Sequence, residues 1–494
     1  MNYQIIRNVI GKMLILIACL LCLPLFITLI NKEGWLNFFA FLIPIVLLVL
    51  IGVLFAVKKA KDNTLLAKEG FVIVALSWLV MSLFGCLPFI ISGQIPNFFD
   101  ALFETASGFT TTGASILDGD KVELLSKSMQ FWRSFTHWIG GMGVLVFILA
   151  LIPESDNGSS VHILRAESPG PQVGKLVSKM KVSSRILYII YVVLTLIEFI
   201  FLWAGPDSKM DFFSSIIYSL GTAGTGGFGI VSQSLGYYGV YSQYVVAIFM
   251  FIFGINFNIF YFVLIGNFKE IAHNEELKWY LAIICISVLT IFLNVKFAMG
   301  LGVEQSFRFA LFESTSIMST TGYGIVDINA LPVLSQTVIA ILMICGACAG
   351  STAGGVKVSR IVILFKSVIS KIKRMIAPRK VSTVTVDKKP MQDEIVDGVE
   401  GFFITYVVVV ILCALLVSFD GVGDLLGNIG CSLSCISNVG PYLTSGLGRL
   451  DGASFASYSS FSKVIFTLEM IAGRLELFPI LILLNPRTWK KRSF

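Results

Sequence analysis

Two distant stretches of this 494-residue chain repeat a pattern that could do oxygen chemistry. Phe98-Phe-Asp-Ala-Leu-Phe-Glu-Thr-Ala-Ser-Gly-Phe-Thr-Thr-Thr-Gly113 and Phe307-Arg-Phe-Ala-Leu-Phe-Glu-Ser-Thr-Ser-Ile-Met-Ser-Thr-Thr-Gly322 align without a gap and agree at nine of sixteen positions. Weaker copies run from Phe212 to Thr225-Gly226-Gly227-Phe228 and from Asp424 to Asn438-Val439-Gly440. A ring of four such loops supplies backbone carbonyls able to replace the water shell of a dehydrated cation. Glycine permits the backbone angles that aim carbonyls at an axis, and the hydroxyls of Thr112, Thr225 and Thr321 add neutral oxygens. Four short helices would also point their negative C-terminal ends at a cavity where a cation must lose water. The plainer alternative is four re-entrant loops that only pack.

Such loops need elements to hold them, and composition says where. Apolar residues make up 56% of the chain and charged residues only 14%, well short of the quarter or so carried by soluble domains. That deficit excludes a disordered protein, a disulfide scaffold and an ordinary cytosolic enzyme, and points to a polytopic membrane protein. Runs long enough to cross a bilayer lie at roughly 13–31, 36–57, 71–93, 132–152, 184–204, 239–267, 279–299, 333–369 (interrupted), 401–419 and 461–485. The first is long for a signal peptide and lacks a small-x-small cleavage site, so it is read as a retained span. With ten spans, the basic loops all fall on one side: 58–68, 165–185, 269–278, 366–389 and the C-terminal 487–492. The positive-inside rule makes that side the cytoplasm, with both termini there. The net charge of +7 is thus explained by topology, not by a nucleic-acid partner. Opposite-side loops near 94–131, 205–238, 300–332 and 420–460 each hold an apolar segment too short to span, read as a half-helix entering and leaving one face.

No other chemistry competes. His137, His162 and His273 are scattered, and the Cys19/Cys22 and Cys345/Cys348 pairs lack the further ligands a metal site requires. Phosphate-loop, zinc-protease and nucleophile-elbow signatures are missing. The chain is not expected to be an enzyme or to bind a nucleotide itself.

The chain resembles the Trk/Ktr superfamily of potassium-uptake proteins, most of all its TrkH-type pore subunits. The resemblance covers nearly the whole length and rests on Thr110-Thr-Thr-Gly113, Trp138-Ile-Gly-Gly-Met-Gly143, Arg165-Ala-Glu-Ser-Pro-Gly-Pro171, Gly350-Ser-Thr-Ala-Gly-Gly-Val-Lys357 and Gly473-Arg-Leu-Glu476, in that order. It implies an all-α membrane protein of ten transmembrane helices. An N-terminal hairpin (1–69) would precede four span–pore-helix–span repeats (70–155, 156–268, 269–392 with a broken second helix, and 393–494) in pseudo-fourfold order around a central pore. The implied selectivity filter comprises Thr110, Thr111, Thr112, Gly113, Thr225, Gly226, Gly227, Thr320, Thr321, Gly322, Asn438, Val439 and Gly440, with K+ as the ion held and carried. Glycine at 113, where sodium-conducting plant relatives often have serine, favours potassium. The Gly-rich second loop and the fourth loop without threonine leave room for looser selectivity.

Below the filter, Gly346-Ala-Cys-Ala-Gly-Ser-Thr-Ala-Gly-Gly355 interrupts the eighth run with four glycines, each costing about 1 kcal/mol in a helix interior. The residues fit either close helix packing or, as the resemblance implies, an intramembrane loop that blocks the pore and moves on gating, built on Gly346, Gly350, Ser351, Thr352, Gly354 and Gly355. Arg474 lies in the last span, where charge is costly; Glu469 and Glu476 are poorly spaced to pair with it. In the family the matching arginine is an electrostatic barrier beneath the filter. Lys357 adds to that barrier or reaches the cytoplasm. His137 is read as packing and Glu198 as an unexplained buried carboxylate. Two alternatives stay open: a sodium- or proton-coupled symporter of the same superfamily, and a broken-helix carrier of organic solutes. The resemblance further implies a homodimer and a cytoplasmic ring of nucleotide-binding subunits, TrkA- or KtrA-like, in the inner membrane. The basic inner loops, chiefly 366–389, offer docking or lipid-headgroup surface.

Overall fold

A computed structural model describes residues 1–57, 67–143, 180–378, 383–444 and 455–489. The Arg165–Pro171 motif and several of the basic loop residues, Lys58 and Arg165 among them, lie outside that set. Two long apolar helices, α1 (Tyr3–Ile30) and α2 (Trp35–Val57), form the hairpin. They cross at Gly11 and Gly52, where a Cβ on either would meet the other's carbonyl at 2.8 Å, the close approach that small residues allow between membrane helices.

A sequence of long helix, short helix and further helix then recurs four times, the last member being interrupted within the described residues in three of the sets. The first set is α3 (Ala67–Gly85) with α4 (Leu87–Ile91), then α5 (Phe98–Phe109) and α6 (Lys127–Gly141). The second is α7 (Met180–Trp203), α8 (Phe212–Gly224), and α9 (Val240–Phe253) with α10 (Phe257–Leu264); α11 (Phe268–His273) follows as a connector. The third is α12 (Glu275–Met299), α13 (Val303–Met318), and α14 (Val333–Cys345) with α15 (Val358–Ile376). A two-stranded hairpin, β1 (Thr385–Val386) and β2 (Lys389–Pro390), leads into the fourth: α16 (Asp393–Val417), α17 (Leu425–Ser437), and α18 (Ser460–Arg474) with α19 (Phe478–Leu484). Asn97, Asp211 and Asp424 cap three of the short helices with side-chain oxygens, whereas Gly302 begins the other without one.

The protein is mostly helical with several apolar spans, a polytopic membrane fold. The count of ten spans is not reproduced helix for helix. Six described helices are long and apolar enough to cross, and a seventh counts if α9 and α10, bent by 90°, are one span. The difference arises in the second helix of each set. Backbone breaks at Gly254–Asn256, at 346–357 and at Leu475–Leu477 divide three of these helices, and α6 ends at Gly141, just before residues outside the described set. In the last break Glu476 and Leu477 both have positive φ, +55° and +68°, which ends the helix at Arg474.

Candidate functional site

The four short helices end in loops of one backbone shape. In each, φ is positive two residues before the glycine and again at the glycine: +56° and +77° at Thr111 and Gly113, +53° and +79° at Thr225 and Gly227. The third loop has +56° and +80° at Thr320 and Gly322, the fourth +55° and +99° at Asn438 and Gly440. A β-branched residue with positive φ is a genuine outlier, and three threonines hold it here because the surrounding loops leave no alternative. Asparagine tolerates that region better than most residues, which accounts for the fourth loop's departure from threonine.

The loops interlock in a closed circuit. A Cβ at Gly113 would meet the Gly226 carbonyl oxygen at 2.0 Å, at Gly227 that of Thr321 at 2.1 Å, at Gly322 that of Val439 at 2.0 Å, and at Gly440 that of Thr112 at 2.6 Å. Each glycine therefore receives the carbonyl of the residue just before the next loop's glycine, and the fourth returns to the first. Side-chain hydroxyls brace this arrangement from behind. Thr110 Oγ1 lies 2.7 Å from Thr112 Oγ1 and donates to the Ala106 carbonyl; Ser319 and Thr321 repeat the hydroxyl pair at 2.7 Å. Thr225 donates to the Gly224 carbonyl, and Asn438 Nδ2 donates to Thr112 Oγ1 at 3.0 Å and to the Met470 carbonyl at 2.9 Å. The hydroxyls of Thr112, Thr225 and Thr321 are thus engaged within the protein, which leaves backbone carbonyls as the principal oxygens.

Outside the ring lies a vestibule of about 640 Å³, bordered by Gly113, Gly322 and Gly440 and by the carboxyl-bearing Asp118, Glu313 and Asp327. Glu104 does not face it. Fully buried, Glu104 forms an ion pair with Arg133 at 2.6 Å and accepts from Ser115 Oγ and the Ile116 amide, tying α5 to α6 and to the outgoing loop. The Arg133 guanidinium also lies 4.0 Å from the Phe228 ring. His137 Nδ1 meets the Gly108 carbonyl at 2.8 Å while Nε2 accepts from the Phe228 amide at 3.3 Å. Both contacts are satisfied by a neutral ring protonated at Nδ1, a bridge between the first two loops.

Beneath the ring, residues 346–357 form an irregular coil with positive φ at Gly346, Gly350, Gly355 and Lys357. The Gly354 amide donates to Thr320 Oγ1 at 2.7 Å, and a Cβ on Gly354 would meet the Ser437 carbonyl at 2.3 Å. Arg474 donates to the Thr352 carbonyl at 2.8 Å and to the carbonyls of Gly140 and Gly141, both at 2.6 Å. It pairs with neither neighbouring glutamate: Glu476 binds Arg360, and Glu469 takes the Ser432 hydroxyl. Both positions are glycine for a packing reason: a Cβ at Gly140 would strike the Phe109 carbonyl at 1.8 Å, and one at Gly141 the Gly224 Cα at 2.8 Å. Lys357 is buried and turns back to the Ala353 carbonyl instead of reaching outward. Ser351 donates to the Cys348 carbonyl at 2.6 Å within the coil. Glu198 is fully buried in α7 beside Thr222 of α8. Sequence reasoning missed the Glu104–Arg133 pair, the role of Gly140 and Gly141 as acceptors, and Glu276, whose carboxylate takes two amides of the coil region. Only the buried position of Arg133 in an apolar run could have flagged the first.

Comparison with known proteins identifies the family. A model of the TrkH family, described as a cation transport protein, matches residues 37–491. The Trk system potassium uptake protein TrkH of Escherichia coli (strain K12) is 32% identical over 99% of this chain and all of that protein. The TrkH of Vibrio parahaemolyticus (strain RIMD 2210633) is 30% identical with the same coverage. The crystal structure of the potassium transporter TrkH from Vibrio parahaemolyticus superposes with a TM-score of 0.85 at 27% identity, covering 99% of this chain and 100% of that one. The chain therefore belongs to the TrkH family of cation transport proteins, whose members are transporters and not enzymes.

Proposed function

We propose that this protein carries potassium into the cell across the cytoplasmic membrane, through a selectivity filter made by the four interlocked loops. The observation that carries the reading is the closed circuit of glycines and carbonyls from Gly113 round to Gly440. Carbonyl oxygens of Thr112, Gly226, Thr321 and Val439 are the ligands that would replace the hydration shell of the ion, with K+ as cargo and no resident cofactor. The interior-negative potential drives entry, at about 2.3 kcal/mol per charge per 100 mV.

In this reading the coil at 346–357 is the gate. It closes the path below the ring, and Arg474 both holds it through the Thr352 carbonyl and sets a positive charge in the ion's way. Basic loops on one side put both termini in the cytoplasm. A homodimer and a cytoplasmic nucleotide-binding ring of the TrkA or KtrA kind complete the system, with the 366–389 segment as docking or headgroup surface. Glu198, a fully buried carboxyl in a spanning helix, is the observation behind a second reading, proton- or sodium-coupled symport; reversal potentials that follow pH or sodium would favour it.

The test is rubidium flux into proteoliposomes, with potassium or sodium as competitor. Gly113→Ser is expected to lose discrimination against sodium, because its side chain meets the Gly226 carbonyl and opens the ring. Arg474→Ala is expected to raise flux. If neither change touches cation flux in folded protein, the four loops are packing and the pore reading is wrong.

A further inference from the structure

The irregular coil at 346–357 is held, apart from Arg474, by one half-buried carboxylate. Glu276, in the first turn of α12, accepts the Ala349 amide at 2.7 Å and the Ser359 amide at 3.2 Å through the same oxygen. It thereby holds both the middle of the coil and the start of α15. The coil is also stitched to the 90° bend of the second set: the Cys348 amide donates to the Gly254 carbonyl at 3.1 Å, and the Phe257 amide to the Gly350 carbonyl at 3.0 Å.

The residue before Glu276 faces elsewhere. Glu275 pairs with Lys366 of α15, its amide donates to Asp387 Oδ1 at 2.8 Å, and its carboxylate accepts the Asp387 amide at 3.3 Å. Asp387 and Lys388 form the turn of the β1–β2 hairpin, both with positive φ, as a tight two-residue hairpin turn demands. Lys366 closes the square by donating to the Thr385 carbonyl at 2.7 Å. Asn274 caps α12 through the Leu277 amide at 2.7 Å and so fixes the two glutamates relative to each other.

We propose that Glu276 is the positioning residue that latches the gating coil shut, and that Glu275 couples this latch to the β1–β2 hairpin, so that displacement of the hairpin from the cytoplasm frees the coil. The inference rests on the reading of the coil as the gate. Two adjacent carboxylates on one helix start, one bound to the hairpin and one to the coil, cannot move independently. A pull on Asp387 is a pull on Glu276.

Basal rubidium flux into proteoliposomes tests it, with the rubidium-to-sodium ratio as the readout that a general loss of structure would disturb. Glu276→Ala removes the acceptor of two amides and is expected to raise flux about fivefold at an unchanged ratio, while Glu276→Gln, which keeps an acceptor oxygen, stays within about twofold of wild type. Asp387→Ala is expected to raise flux less, about twofold, and to add nothing in the Glu276→Ala background. Should the alanine variant fail to fold, Glu276→Asp, with its shorter reach, is expected to raise flux in the same sense. Flux unchanged in the Glu276 variants while Arg474→Ala raises it overturns the latch and leaves the gate standing; flux unchanged in all of them overturns both. Additive effects of the Asp387 and Glu276 changes overturn the coupling to the hairpin.

Discussion

The first and third loops share nine of sixteen residues and the same backbone angles, yet they are held from opposite ends. The first is fixed from outside: Glu104, paired with Arg133, binds the outgoing chain at Ser115 and Ile116. In the third, Glu313 accepts the Ile325 amide with one oxygen, its other oxygen has no hydrogen-bond partner among the described residues, and the residue at the place of Arg133 is Ile339. That loop is fixed from below, where Thr320 Oγ1 accepts the Gly354 amide; the equivalent hydroxyl of Thr111 has no partner among the described residues. Near-identical sequence thus yields two mechanical roles. One loop belongs to a rigid outer frame, and the other touches the coil proposed to gate the pore.

The largest expected effect treats both loops alike. Gly113→Ala and Gly322→Ala each drive a Cβ into a carbonyl 2.0 Å away at positive φ, and both should cut potassium-competed rubidium flux by at least about tenfold, given the 1 Å sensitivity of positioned ligands. Next comes a contrast of sign. Arg133→Met leaves Glu104 buried without its cation and should cost about 3–5 kcal/mol, read as a fall in melting temperature in detergent. Glu313→Gln removes a carboxyl with no paired cation and should leave that temperature unchanged or raise it. Equal losses at both sites would erase the distinction.

A smaller effect separates the hydroxyls. Thr320→Val strands the Gly354 amide, a loss of about 1–3 kcal/mol, and should raise basal flux by weakening the closed coil. Thr111→Val should not change flux, since its hydroxyl holds nothing. The smallest lies at the helix starts. Asn97→Ala removes a cap to two amides and should lower stability by about 1 kcal/mol, while Gly302→Asp, entering open space, should add a few tenths.

Much of this architecture could be read from the chain because it is local and repeated. The glycines, the threonine pairs and the half-helices recur in register, and four glycines in ten residues of an apolar run announce an irregular segment. What could not be read is pairing across the fold. Nothing near Arg474 in sequence indicates that its acceptors are carbonyls of Gly140, Gly141 and Thr352, more than a hundred residues away. Asn438 looks like a defect in the fourth repeat until its amide is seen on Thr112. The count of ten spans is not confirmed by helix length among the described residues for a similar reason: a run of apolar residues fixes hydrophobicity, whereas the breaks at Gly254–Asn256 and Leu475–Leu477 depend on neighbours that take up the freed backbone groups. Glu276 is hidden because an acidic residue in a first helical turn is ordinary.

The central claim, that ions pass through the ring of four loops, is tested most directly by anomalous diffraction from crystals grown in rubidium. The expected result is a peak among the carbonyl oxygens of Thr112, Gly226, Thr321 and Val439, weakened by added potassium and lost in Gly322→Ala. Rubidium bound elsewhere, with none among those oxygens, would contradict it.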